Sequence, residues 1–190
     1  MAKPRKSKAP QARILSSKVS YQGPVFWVTT DEVEEPGGVR ARRDVVRHAG
    51  SVVVVAMEES GRQRRVLLER QYRHAAGSFM WELPAGRIDE GESELAGAKR
   101  ELLEETGYTA RSWKKLLWFY VSPGFLDETM NIYLARGLRA GEAQPEEDER
   151  IEIRFFPLSR VEQMIRSGVI RDAKTIAGIL YLAQKQPRKP

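Results

Sequence analysis

The chain contains no cysteine. That excludes a disulfide framework and any thiolate metal site. With only two histidines among 190 residues, a bound metal would have to rest on carboxylate, carbonyl and water oxygens, the donors of a hard cation. Long apolar runs are missing too. The longest, Val52 to Met57, falls far short of the ~18–20 residues of a membrane-spanning helix. No apolar stretch of the signal-peptide kind follows the basic N-terminus, so the expectation is a cytoplasmic protein with no membrane partner. What is present, 41% apolar and 31% charged residues, fits about one globular domain with a sizeable core.

Acid is absent from the first eighteen residues, which carry Lys3, Arg5, Lys6, Lys8, Arg13 and Lys18. Lys185, Arg188 and Lys189 close the chain, so the formal net charge of +6 leaves −3 for residues 19–183. The positive charge therefore belongs to the ends and the central body is mildly acidic. Lys/Pro/Ser/Ala-rich ends have the composition of solvated tails, which attract phosphate polymers weakly and without reading a sequence. Residues 1–17 are expected to be a basic disordered tail and 185–190 a basic C-terminal tail.

Between the tails, local pattern predicts strands at Lys18 to Tyr21, Pro24 to Thr30 and Val39 to Val46, with turn chemistry from Asp31 to Gly38. Residues 18–48 thus read as an N-terminal β-hairpin region. Ser51 to Glu58 and Arg64 to Tyr72 form a second predicted hairpin, and the valine run in its first strand predicts burial on both faces. A short strand, Phe79 to Pro84, precedes a helix over Ser93 to Thr106 with Gly107 at its C-cap. Strands follow at Trp113 to Val121, Met130 to Ala135 and Ile151 to Pro157. Two helices end the chain, one from a Ser159 cap to Ser167 and one from an Asp172 cap to about Gln184. The fold class is mixed α+β.

The chemistry concentrates in Gly86-Arg87-Ile88-Asp89-Glu90-Gly91-Glu92 and, seven residues later, Arg100-Glu101-Leu102-Leu103-Glu104-Glu105-Thr106-Gly107-Tyr108. At ~100° per helical residue, Glu101, Glu104 and Glu105 share one face. Like charges so spaced repel, and either water screens them or a cation neutralises them. Leu95, Ala98 and Leu102 on one side of the wheel, with Ala96 and Leu103 on another, predict a helix packed between layers, its acidic stripe in a cleft where screening is poor.

These residues match Gly-x5-Glu-x7-Arg-Glu-U-x-Glu-Glu-x-Gly-U, with U bulky and apolar and Tyr108 a mild variant at the last position. The chain therefore resembles the Nudix hydrolase family. The resemblance implies a Nudix-type α/β/α sandwich around a mixed β-sheet, here residues 49–184, and cation-dependent attack of water on a nucleoside diphosphate linked to another group. Trp81-Glu82-Leu83-Pro84-Ala85-Gly86, Ser122-Pro123-Gly124-Phe125, Gln71-Tyr72-Arg73 and Val46-Arg47-His48 are similar to the pattern of the ADP-ribose pyrophosphatase subfamily. Pro123 lies fifteen positions after the box, like the subfamily's proline marker.

What the resemblance implies can be carried over residue by residue. Glu101, Glu105 and the Ala85 carbonyl would bind Mg²⁺, with Mn²⁺ as the alternative, and Glu104 would assist. Glu92 would orient the box through Arg100. The base for the attacking water would come from the acidic loop Glu146 to Glu149, with Glu147 as base and Glu149 as a further metal ligand. Arg47 and Arg73 would contact the diphosphate, since guanidinium presents paired donors. Glu82 belongs with them among the substrate-binding residues, and Trp27 would stack the base. The implied reaction splits ADP-ribose into AMP and ribose 5-phosphate. Residues 18–48 would join a partner subunit in a homodimer. Another nucleoside diphosphate substrate or a dinucleotide is the alternative, because specificity rests on loops outside the box. A non-catalytic nucleotide- or RNA-binding module is the remaining one, against which the intact glutamate set argues.

Overall fold

In a computed structural model of the chain, residues 11–60, 63–143 and 150–184 are described. They fall into two compact units. One comprises residues up to His48 together with Tyr120–Glu128, and the other comprises Ala49–Phe119 and everything from Thr129 onward.

The first unit is a three-stranded antiparallel sheet of β1 (Arg13–Gln22), β2 (Trp27–Glu34) and β3 (Arg40–Arg47), in that order. The first two strands, β1 and β2, run beyond the bounds that local pattern predicts. β1 begins at Arg13, inside the stretch expected to be a solvated tail, because its residues find partners along β2 from Arg13 opposite Glu34 to Gln22 opposite Trp27. Likewise Asp31 to Glu34, expected as turn, extend β2, since Asp31 is buried and hydrogen-bonded rather than solvated. The turn itself narrows to Gly37 and Gly38, both at positive φ. The segment Ser122 to Asp127 is tied to β3 through Val46, whose N–H donates to the Phe125 carbonyl at 2.7 Å and whose carbonyl accepts from Asp127 at 3.1 Å.

The second unit is a mixed seven-stranded sheet between helices. Its strands are β4 (Ser51–Ser60), β5 (Gln63–Arg73), β6 (Ser78–Glu82), β7 (Ala85–Arg87), β8 (Tyr108–Tyr120), β9 (Thr129–Ala140) and β10 (Glu152–Pro157). The order is β10-β5-β4-β9-β8, with β6 on β5 and β7 on β4. β4 and β9 run parallel, while β10, β5, β6 and β7 pair antiparallel. The helices are α1 (Glu94–Thr106), α2 (Leu158–Arg166) and α3 (Ala173–Gln184).

The valine run of β4 explains the layers. Val52, Val54 and Ala56 face a core shared with Ala98 and Leu102 of α1, whereas Val53, Val55 and Met57 face a core shared with Val161 and Met164 of α2 and Ile179 and Leu182 of α3. Alternate residues of one strand thus feed two cores. Each fully buried aliphatic side chain contributes about 1.5–3 kcal/mol relative to exposure. α1 differs from expectation in one respect. It packs on the sheet through Leu95, Ala98 and Leu102, but Ala96 is exposed, so the helix forms an outer layer and is not enclosed on two sides. α2 starts at Leu158 and not after a Ser159 cap, with Pro157 preceding it and no side-chain cap.

Candidate active site

α1 carries the acidic stripe, and local chemistry places both of its ends. Ser93 Oγ accepts the Ala96 N–H at the N-cap, and Gly107 takes the left-handed conformation at the C-cap, φ 71°, returning its N–H to the Leu103 carbonyl. Between them Glu101 and Glu105 face the sheet, 8% and 6% exposed, whereas Glu104 is half-buried. Glu105 Oε2 accepts the Ala85 N–H at 3.0 Å. Gly86 makes the approach of Glu101 possible, because a Cβ there would lie 2.0–2.3 Å from the Glu101 carboxylate. Gly86 does not have a positive φ, so its role is space for that carboxylate and not a tight turn.

Arg100 is the counter-charge of the stripe. Its Nε and Nη2 reach both oxygens of Glu92 at 3.1 and 3.0 Å, and Nη1 reaches Glu101 at 2.8 Å and Glu104 at 3.0 Å. Nη2 also donates to the Arg87 carbonyl at 2.9 Å, tying the helix to the loop before it. The Arg100 hydrogen bonds hold the Glu92 carboxyl below its ordinary range, and Glu92 in turn raises the guanidinium's proton affinity. Glu92 Oε2 accepts the Asp89 N–H as well, at 3.2 Å.

Behind Ala85 lies a buried charge network. Arg73 grips Glu82 with Nε at 3.2 Å from Oε1 and Nη2 at 3.0 Å from Oε2, and Lys174, on the first turn of α3, donates to Glu82 Oε2. Arg73 therefore holds a protein carboxylate where a diphosphate contact was expected. Glu69 stands directly across the ladder from Glu82 and is 0% exposed. Among the described residues the nearest cation, Arg73 Nη2, is 4.0 Å away, and a hydrogen bond with the Glu105 carboxyl favours ionisation of Glu69 only weakly. Burial pushes the Glu69 carboxyl up to about 7, against the pull of Lys174 and Arg73 and with help from the Glu82 charge. Sequence reasoning missed Glu69 and Lys174. The signal available was a charged residue where each element otherwise reads apolar, Glu69 after Val66-Leu67-Leu68 and Lys174 before Thr175-Ile176-Ala177.

Arg47 and Trp27 belong to the N-terminal unit, where they are ladder partners. The Arg47 guanidinium reaches Asp31 Oδ2 at 2.5 Å, Thr29 Oγ1 at 3.0 Å and Asp127 Oδ2 at 3.1 Å. Asp31 is held below the usual carboxylate range, chiefly by the Ser17 hydroxyl and then by Arg47. Asp127 Oδ1 accepts the His48 N–H at 2.9 Å. The expected base Glu147 and ligand Glu149 lie outside the described residues. Among the described residues no group of three Asp, Glu or His side chains is arranged to hold a metal. A cleft of about 540 Å³ at the C-terminal end of β4, lined by Glu58, Tyr108, Arg111, Arg136 and Leu138 among others, contains none of these glutamates.

The model of the NUDIX domain matches residues 46–178. An ADP-ribose pyrophosphatase of Bacillus subtilis (strain 168) is 34% identical over 94% of this chain and 96% of its own length. Another, from Mycobacterium tuberculosis, is 38% identical over 87% of this chain and 80% of its length. A solved structure titled an ADP compounds hydrolase shares the fold with a TM-score of 0.78 at 23% identity, covering 94% of this chain and 96% of that one. No helix among the described residues is long and apolar enough to cross a membrane. With a family model spanning most of the chain and full-length relatives above 30% identity, the protein belongs to the Nudix family and is an ADP-ribose pyrophosphatase-like hydrolase.

Proposed function

We propose that the protein hydrolyses the diphosphate bond of ADP-ribose or a close nucleoside diphosphate sugar. Water supplies the oxygen of the new P–O bond, the bridging P–O bond breaks, and AMP and ribose 5-phosphate leave. The observation that carries this reading is the pair Glu101 and Glu105, buried against Ala85–Gly86 with a glycine in the one place where a side chain would displace a carboxylate. The donors are hard oxygens, which suits Mg²⁺ or Mn²⁺. Glu101, Glu105 and the Ala85 carbonyl would hold the ion, with Glu149 completing the set.

When bound, such a cation spreads the diphosphate charge and lowers the pKa of the attacking water. The chain's own residues do the remaining work. Arg100 and Glu92 hold α1 against the loop after Gly86, which fixes where the stripe points. Arg73 fixes Glu82 beside it. Glu147 would take the proton from water. Arg47, tied to Asp31 and Asp127, would orient substrate only after exchanging one of those partners.

A homodimer is part of the proposal. β1 pairs only with β2, leaving its outer edge open among the described residues, and it exposes Ile14, Leu15, Val19 and Tyr21. An apolar strand edge of that kind invites pairing with another chain.

The test is turnover of a panel of ADP-ribose, other ADP-sugars, NADH and GDP-mannose with Mg²⁺ and with Mn²⁺. ADP-ribose should give the highest kcat/KM, with AMP and ribose 5-phosphate in equal amounts. A marked preference for GDP-mannose or NADH would transfer the reading to that substrate, and no turnover of any member would overturn it.

A further inference from the structure

The segment Glu82 to Ala85 connects β6 to β7 and delivers Ala85 to the glutamates of α1. Something outside the box holds that segment. α3 begins after Asp172, whose Oδ2 accepts both the Thr175 N–H at 2.9 Å and the Thr175 hydroxyl at 2.5 Å. With its proton given to Asp172, the Thr175 oxygen is left to accept, and it takes the buried Leu83 N–H at 2.8 Å. Asp172 Oδ1 lies 3.1 Å from Lys174 Nζ, and Lys174 donates to Glu82. Both side chains are enclosed, Lys174 at 7% exposure and Thr175 at 0%. One turn further on, Gly178 lets the helix close over Leu83, because a Cβ there would meet Leu83 Cδ1 at 3.1 Å.

Two neighbouring residues of α3 therefore grip two neighbouring residues of the segment, and one aspartate orients both grips. From the far side, Glu105 accepts the Ala85 N–H, and the Pro84 carbonyl accepts from Val54 at 2.8 Å. A lysine is a costly choice for a purely structural role at such depth, since burying its charge requires paired acids. Thr175 is similarly committed, because its hydroxyl oxygen satisfies the buried Leu83 amide.

We propose that Lys174 and Thr175, set by Asp172, are positioning residues of the Glu101–Glu105 centre, holding the Leu83–Ala85 backbone where its ligand atom and the two glutamates meet one cation. The inference rests on the reading of that centre as a divalent-metal site. It assigns to a helix some 90 positions away in sequence from Glu82 the role that supporting hydrogen bonds play around metal ligands, where their loss costs about 10- to 100-fold in affinity or activity.

The experiment measures Mn²⁺ binding to the full-length, metal-free protein by electron paramagnetic resonance, alongside melting temperature, kcat and KM. Thr175→Val keeps the shape and removes the acceptor. It should weaken Mn²⁺ binding and lower kcat by about 10- to 100-fold with KM for the nucleotide within about threefold, and Thr175→Ser should restore both. Lys174→Met should weaken Mn²⁺ binding in the same direction. A Thr175→Val protein that melts lower yet binds Mn²⁺ and turns over like the wild type has lost only stability, and that result overturns the proposal. Should Thr175→Val fail to fold, Lys174→Met carries the decision on the same criterion. Glu105→Gln separates the two levels of inference. If it binds Mn²⁺ as tightly as the wild type, the metal reading itself fails. If it loses the ion while the α3 variants keep it, only the positioning role fails.

Discussion

Glu69 shows most clearly what a single residue does to this molecule. A carboxyl with no exposure, placed across a β ladder from a second carboxyl, is stable in its neutral form over a wider pH range than in an unfolded chain. Its folded value of about 7 stands above the ordinary 4.5, so between those two values the folded protein holds a proton that the unfolded chain has released. Its contribution is therefore full below the unfolded value and is lost as pH rises through the folded one. In metal-free protein, Glu69→Gln should flatten the fall of melting temperature between about pH 4.5 and 7, measured by calorimetry. Parallel curves for variant and wild type would show that the carboxyl titrates normally. Arg73 and Lys174 set the other side of this balance. Both cations are turned toward Glu82 and lie close enough to favour ionisation of Glu69, yet burial outweighs them.

At the scale of elements, the site is a meeting of β7 with α1, and its tolerance is set by one atom. Gly86→Ala should push Glu101 off its seat and reduce kcat by at least about 100-fold, the order expected when a reacting constellation is misplaced by an ångström. Circular dichroism should show the helix intact, because the Ser93 and Gly107 caps are remote from the change. Near wild-type turnover in Gly86→Ala would mean that the carboxylate does not need that space. Much of this element was legible beforehand. Fixed spacing within one helix puts Glu101, Glu104 and Glu105 on one face without any tertiary knowledge, and Gly107 marks the helix's C-terminal end. The α3 contacts were not legible in the same way. Asp172 reads as a cap, but that Thr175 reaches Leu83 and Lys174 reaches Glu82 depends on how the chain returns over the sheet, which no local pattern encodes. The length of β1 and β2 escaped for a related reason. Charged residues such as Asp31 signal a turn until a partner, here Arg47 from another strand, makes burial affordable.

For the whole molecule, the N-terminal sheet raises the question of what covers β1. Its apolar residues stand on a strand whose outer edge has no partner among the described residues, so size-exclusion chromatography with light scattering should give a dimer for the wild type and a monomer for the double variant Ile14→Lys, Val19→Lys. A wild-type monomer at micromolar concentration would remove the dimer from the proposal. Residues Tyr120–Glu128 group with this sheet although more than seventy positions separate them from His48. The hydrogen bonds of Val46 and the side chain of Asp127 account for that grouping, and neither is visible in local composition.

The double-faced burial of β4 has a further consequence. In most sheets a strand that slides by one residue turns its greasy side to water, and that penalty keeps it in place. A slide of the Val52–Met57 run would merely exchange one oily wall for another. Alignment here must be enforced by neighbours, namely the seven-residue parallel ladder to β9, the short pairing with β7 and the Val54–Pro84 link. The hydrolytic machinery is thus threaded to a strand that solvent alone would not keep in step, and errors in that threading during folding would yield a well-buried but inert enzyme.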